Sequence, residues 1–295
     1  MTRGSFSDRR HLVNGVSIPG LGFGTYKHGV TSATTVEMIR HAAQIGYRLF
    51  DTASLYANER SIGAGLRRSG VPREELFVVS KVWNQDQGYE STLAVIEESL
   101  ADLRMEYIDL YLIHWPIPAD HDHDWKDLNL ATWRAMEKCY REGKLRAIGV
   151  SNFLEHHLQP LMAAAEIPVM VNEMEMNVGY YQREIHRFCL EQGIQIVAYS
   201  PLKGIDRGYP ALEQLAQKYS RTPAQIALRW LIQLGMIPIP RSYDRERIKE
   251  NTEVFDFNLT PAELELLCSI QDADRHHQHP DSARIRIDRY AKQKI

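Results

Sequence analysis

Eight short apolar runs recur along this chain, at residues 21–24, 48–51, 76–80, 108–113, 147–150, 169–171, 194–199 and 236–239. The stretches between them carry helical spacing: Val36, Ile39 and Ala43 share one face ahead of Gly46, as do Leu93, Ile96, Leu100 and Leu103. Several runs are continuously apolar rather than alternating, as strands covered on both faces should be. Eight strand–helix alternations predict an α/β fold of the parallel (β/α)8 TIM barrel type. The rival is a doubly wound sheet, which ordinarily carries G-x-G-x-x-G after its first strand. Gly20, Gly22 and Gly24 make only G-x-G-x-G, with no helix start behind them. The expectation is therefore a single barrel domain over 1–295, with its core at about 11–271 and a polar surface tail at 272–295.

Two further signals frame the barrel. Asn14-Gly15 between His11-Leu12-Val13 and Val16-Ser17-Ile18 predicts an N-terminal β-hairpin. Thr222-Pro223-Ala224-Gln225 and Thr260-Pro261-Ala262-Glu263 both join a Thr N-cap and an early Pro to a Gln or Glu three residues on. The second follows strand eight and predicts an extra helix outside the repeat.

Composition narrows the function classes. A chain of 295 residues buries about three quarters of its unfolded surface and needs no staples. Its 35 Lys+Arg against 38 Asp+Glu give a net charge of −3, which offers no electrostatic footprint for nucleic acid. Cys139, Cys189 and Cys268 are odd in number and far apart, fitting neither a disulfide framework nor a Cys-based zinc site. The first ten residues lack the apolar centre of a signal peptide, and no run approaches the ~18 apolar residues of a membrane span. A cytoplasmic monomer is the expectation.

Position is the strongest functional signal. Nearly every apolar run ends in a polar residue able to do chemistry: Asp51, Lys81, His114, Ser151-Asn152, Asn172-Glu173, Tyr199-Ser200 and Arg241-Ser242. In a parallel barrel all strand C-termini open on one face, so these side chains converge on one cleft. Alone, Asp51 reads as a helix cap, Lys81 as a snorkelling lysine and His114 as a structural histidine. Seven coincidences on one face leave those bland readings weak.

The same segments resemble the aldo-keto reductases, in particular their bacterial 2,5-diketo-gluconate reductase-like branch. The resemblance rests on Gly46-Tyr47-Arg48-Leu49-Phe50-Asp51-Thr52-Ala53 with Tyr56 and Asn58-Glu59, and on Val79-Ser80-Lys81-Val82-Trp83. It continues through Leu112-Ile113-His114-Trp115-Pro116, Ile148-Gly149-Val150-Ser151-Asn152-Phe153 and Ala198-Tyr199-Ser200-Pro201-Leu202. Ile237-Pro238-Ile239-Pro240-Arg241-Ser242 with Arg247-Ile248 and Asn251 completes the ordered set. It implies reduction of a small carbonyl compound by hydride from a nicotinamide, with Asp51, Tyr56, Lys81 and His114 as a catalytic tetrad. Such a tetrad is chemically coherent. Negative charge builds on the carbonyl oxygen, Tyr56 supplies a proton, and a Lys81 ammonium paired to Asp51 draws the phenol toward a usable pKa. His114 shares the developing charge.

By the same resemblance Gly24, Thr25, Ser151, Asn152, Glu173, Tyr199, Ser200, Leu202, Arg241, Ser242, Arg247, Glu250 and Asn251 hold the cofactor. Two guanidiniums and a hydroxyl at the strand-eight end suit a 2′-phosphate, hence NADP(H) in preference to NAD(H). Arg245, Arg247 and Lys249 read equally as a solvated helix face paired with Glu246 and Glu250. Tyr26, Trp83 and Trp115 are expected to wall the substrate pocket. Departures from the family pattern are Glu173 where Gln is usual, Arg241 for Lys, Tyr26 for Trp, and Met176-Asn177 for an aromatic-His pair. The segment after Pro201 is short, which implies easier cofactor exchange. His121-x-His123 and His276-His277-x-His279 lie in polar sequence with nothing to fix ligand geometry, so no metal is expected. Two rival functions remain at this level: a Schiff-base lyase using Lys81, and a non-catalytic nicotinamide sensor.

Overall fold

The computed structural model describes residues 5–26, 29–118, 121–272 and 279–281. Arg9–His11 (β1) and Ser17–Pro19 (β2) form the N-terminal antiparallel hairpin, with Arg9 opposite Pro19. The connection runs through residues 12–16 rather than the bare Asn-Gly turn, because Leu12 turns inward and is buried. The hairpin lies across the N-terminal end of the barrel: Arg9 donates to the Glu75 carbonyl, Asn14 to that of Arg146 and Arg10 to that of Ile232.

Eight parallel strands then follow in chain order: β3 (Gly22–Gly24), β4 (Leu49–Asp51), β5 (Phe77–Val82), β6 (Leu110–Ile113), β7 (Ile148–Ser151), β8 (Val171–Glu175), β9 (Gln195–Tyr199) and β10 (Ile237–Pro238). Each pairs with the next. Gly24 N donates to the Pro240 carbonyl at 3.0 Å and brings the last strand's exit back to the first. Only glycine fits there, since a Cβ on Gly24 would lie 2.9 Å from the Ile239 carbonyl oxygen. The (β/α)8 barrel is thus the observed fold.

The helices follow the sequence periodicity. In α1 (Ser32–Gln44) Val36, Ile39 and Ala43 are buried, Thr31 caps the start, and Gly46 at φ 116° ends the turn. Beyond α2 (Glu59–Ser69), α3 (Tyr89–Leu103) buries Ile96, Leu100 and Leu103. The ring continues with α4 (Trp125–Arg141), α5 (Glu155–Ala164), α6 (Arg183–Glu191), α7 (Pro210–Tyr219) and α8 (Pro223–Gln233). The short α9 (Arg245–Glu250) precedes the extra helix α10 (Pro261–Ser269). Both expected capping boxes form, Thr222 with Gln225 and Thr260 with Glu263.

Two strands depart from their apolar runs. β8 continues past Val171 through Asn172, Glu173, Met174 and Glu175, because the alternate inward residue Glu173 reaches the barrel mouth and interrupts the apolar run. β10 shrinks to two residues because Pro238 within it and Pro240 beyond it cannot donate to a ladder.

Candidate active site

The strand ends expected to converge do so except at Asn172, which is fully buried, donates to the Phe153 carbonyl and does not line the cleft. Asp51, Tyr56, Trp83, His114, Ser151, Asn152, Glu173, Tyr199, Arg241 and Ser242 line one cleft of about 970 Å³, within the ordinary range for small-molecule and cofactor sites. Gly24, Thr25, Tyr26, Trp115, Ser200, Leu202, Arg247, Glu250 and Asn251 line it as well. Lys81 lies beneath its floor, fully enclosed.

Local sequence fixes the acid-base end. Lys81 Nζ lies 2.5 Å from Asp51 Oδ2, 3.0 Å from the Thr52 carbonyl and 3.3 Å from Glu173 Oε1. Burial favours a neutral amine, but the charges of Asp51 and Glu173 outweigh it and raise the pKa, so Lys81 stays an ammonium. Tyr56 ends a 3₁₀ turn (Ser54–Tyr56) pinned by Ser54 Oγ donating to the Lys81 carbonyl. Ala57, left-handed at φ 51°, then redirects the chain. The ammonium stands 5.5 Å from the Tyr56 ring centroid. Enclosure by protein raises the Tyr56 pKa; Lys81 opposes this, while Asp51, Glu173 and Tyr26 add to it. The net direction in the protein alone is therefore upward, away from the tuning expected from Lys81 alone.

The imidazole of His114 packs edge-on to Tyr56, with centroids 5.8 Å apart, and to Trp83 at 5.0 Å. Tyr26 sits 4.8 Å from Tyr56. Trp115 is held from behind, where Gln87 donates to its carbonyl and Asn129 to that of Pro116. One apolar wall thus meets one polar floor.

A hydrogen-bonded chain crosses the opposite wall. Tyr199 donates to Asn152 Oδ1 at 2.8 Å, Asn152 Nδ2 donates to the His114 carbonyl at 3.0 Å, and Ser151 Oγ donates to the Glu173 carbonyl at 3.0 Å. Asn152 and Ser200 are left-handed non-glycines, at φ 64° and 50°. Backbone strain gathered at a cleft is characteristic of sites fixed for function. The Glu173 carboxyl lines the cleft as a buried group: among the described residues Oε2 receives no N–H or O–H from a neighbouring side chain or backbone, and the carboxyl lies within hydrogen-bonding reach of Asp51.

At the far end Arg241 donates to the Tyr26 carbonyl, and neither Arg241 nor Arg247 makes an ion pair among the described residues. The pairing of Arg247 with Glu246 or Glu250 does not form: Asp244 caps α9 through the Arg247 amide, Glu250 accepts from Thr222 Oγ1, and Lys249 reaches Glu253 at 4.0 Å. Two exposed guanidiniums and the Ser242 hydroxyl therefore border the cleft and fit an anionic dinucleotide.

Sequence reasoning missed Lys203, which lines the cleft while paired to Glu175 at 2.6 Å. Its place directly after Leu202 was the available signal. The start of α8, Thr222-Pro223-Ala224, whose sequence signals only a helix cap, also borders the cleft.

The histidine clusters divide. His276 and His277 lie outside the described residues, while His121 bonds Asp124 at 2.9 Å in its loop. Among the described residues His156, His157 and Asp281 bring three donor atoms together. His157 Nδ1 accepts from the Leu154 amide at 3.1 Å, which places the neutral ring's proton on Nε2 and removes the lone pair a metal would need. The pair of imidazoles instead holds Asp281, at 2.9 Å from each.

A sequence profile described as the Aldo/keto reductase family matches residues 20–272. The chain is 45% identical to the glyoxal reductase of Bacillus subtilis strain 168 over 278 residues, covering 94% of this chain and 98% of that protein. It resembles the crystal structure of MGS-M4, an aldo-keto reductase from a Medee basin deep-sea metagenome library, with TM-score 0.85 and 40% identity over 92% of this chain and 98% of that one. The aldo-keto reductase of Bombyx mori, in complex with NADP, aligns with TM-score 0.84 and 34% identity over 91% of this chain and 94% of that one.

Proposed function

Since this chain belongs to the aldo/keto reductase family, we propose that it is an NADP(H)-dependent carbonyl reductase in which Tyr56 is the general acid. One observation carries the reading: a phenol, an ammonium, a carboxylate and an imidazole from three neighbouring strand ends meet around one aromatic-walled cleft. A nicotinamide, when bound, supplies the hydride, which no side chain can. Tyr56 and His114 both reach the pocket end and hold the carbonyl oxygen, Tyr56 donating its proton as negative charge accumulates there. Lys81 keeps the resulting phenolate compensated, and Asp51 keeps Lys81 charged.

The far end supports NADP(H) over NAD(H), through Arg241, Arg247 and Ser242. The walls of Tyr26, Trp83 and Trp115 favour small aldehydes and dicarbonyls, in keeping with the glyoxal reductase relative. A Schiff-base role for Lys81 needs a neutral amine, and the Asp51 carboxylate at 2.5 Å opposes that. The test is NADPH oxidation with a panel of aldehydes including glyoxal. Tyr56→Phe is expected to lose about 10²–10⁴-fold in rate with its melting curve unchanged. Full activity in that variant refutes the acid assignment, and tight NADPH binding without turnover of any carbonyl favours the sensor reading.

A further inference from the structure

Glu173 has no part in the proton delivery derived above. It enters the cleft from β8 with its side chain 4% exposed, Oε1 at 3.3 Å from Lys81 Nζ and the carboxyl within hydrogen-bonding reach of Asp51. The ammonium is already engaged by Asp51 at 2.5 Å and the Thr52 carbonyl at 3.0 Å. One buried cation thus faces two buried carboxyls. The ionisable groups around Glu173 are Asp51 at the end of β4, Tyr56 in the turn behind it and Lys81 of β5, with His114 beyond β6 on the same cleft. Its partners in the sheet, Ser151 of β7 and Val197 of β9, do not titrate. Lys81 balances one carboxylate; burial and the Asp51 charge push the Glu173 carboxyl well above the usual carboxylate range.

We propose that Glu173 is a proton-linked selector of the cofactor's oxidation state, protonated against the reduced nicotinamide and ionised against the oxidised one. This rests on the reading that the cleft takes a nicotinamide dinucleotide. The oxidised ring is a cation and the reduced ring is neutral. A neighbouring cation lowers a carboxyl pKa by about 1–3 units, whereas a neutral ring leaves the second carboxyl protonated. By linkage, if cation binding releases a proton from Glu173, raising the pH tightens cation binding in equal measure. A glutamine can neither take up nor release that proton.

The test measures dissociation constants of NADP+ and NADPH from pH 5.5 to 9 for wild type and Glu173→Gln, followed by quenching of tryptophan fluorescence. Their ratio cancels titration of the 2′-phosphate, which both forms share. In wild type the preference for NADP+ over NADPH is expected to rise with pH by up to about tenfold per unit, about 10–1,000-fold in all, and in Glu173→Gln to stay flat. Calorimetry of wild type in buffers of different ionisation enthalpy gives a second readout, with up to one proton released by NADP+ and none by NADPH. A flat wild-type ratio with both dinucleotides bound overturns this inference alone. Parallel slopes in the two proteins overturn it by assigning the linkage to Tyr56 or His114. Failure of both dinucleotides to bind overturns the functional reading, and this inference with it.

Discussion

Replacing Lys81 by Met removes the ammonium while keeping an unbranched side chain of similar length in the barrel. The structure sets the cost. Among the described residues Lys81 Nζ is the cation within 4 Å of both Asp51 and Glu173, and each of those residues is only 3% exposed. Breaking a buried ion pair from one side costs about 3–5 kcal/mol, a large part of the roughly 5–15 kcal/mol that holds a domain folded. If stranded charge is the cause, the loss must depend on pH. Both carboxyls would then hold protons in the folded variant that the unfolded chain releases near pH 4–4.5. Stability therefore falls as pH rises above that range, by up to about 1.4 kcal/mol per unit for each proton held. Urea unfolding of the cofactor-free protein, followed by circular dichroism at pH 5, 6.5 and 8, should show a small deficit at pH 5 and the full one at pH 8. Adding Asp51→Asn should recover most of it, since a neutral amide of the same shape needs no counter-ion. Equal deficits at all three pH values would refute the electrostatic reasoning and assign the loss to packing.

Other consequences are open to direct measurement. Arg241→Gln and Arg247→Gln should each weaken NADPH binding by about 10- to 100-fold, the worth of a charged hydrogen bond, and leave NADH nearly unchanged; equal losses for both dinucleotides would remove the 2′-phosphate assignment. Burial holds the His157 pKa down at about 4, so its neutral form stabilises the fold fully above about pH 6.5. That contribution, about 3 kcal/mol at most, should be lost as pH falls from 6.5 through 4, and urea midpoints of His157→Gln should lack the slope. Gly24→Ala should destabilise by about 1–3 kcal/mol because its Cβ meets the Ile239 carbonyl where the barrel closes, and an unchanged urea midpoint would contradict that contact.

The fold was legible because a strand covered on both faces must be apolar, and seven runs closed on a residue of unusual polarity. The same criterion failed at β8. Glu173 and Glu175 interrupt hydrophobicity on the inward face because this strand helps build the mouth, while Asn172 on the other face is satisfied by the Phe153 carbonyl. The sequence could also pair Lys81 with Asp51 by resemblance, since the two segments carry separate signatures. It could not show that Glu173 shares the same ammonium, or that enclosure outweighs Lys81 at Tyr56, because both depend on distances across the barrel. Lys203 was overlooked for a related reason: a lysine in a loop is ordinarily solvated, and only the fold places it against Glu175 at the cleft edge.

The four groups at the floor are better understood as one charge system than as a donor with helpers. Enclosure, Asp51 and Glu173 all hold the proton on Tyr56, and Lys81 pulls the other way. Of these, enclosure is fixed by the fold, and Asp51 and Lys81 neutralise each other at 2.5 Å. Glu173 is the element whose charge is free to change. Neutral Glu173 removes one influence that holds the phenolic proton and so makes Tyr56 the stronger acid, as carbonyl reduction requires. Ionised Glu173 restores that influence and makes the phenolate the stronger base, as alcohol oxidation requires. The protonation state that suits a neutral reduced ring is thus the one that prepares Tyr56 to give its proton away, and the state that suits a cationic ring prepares it to take one back. A glutamine at this position leaves Tyr56 under the same field in both directions.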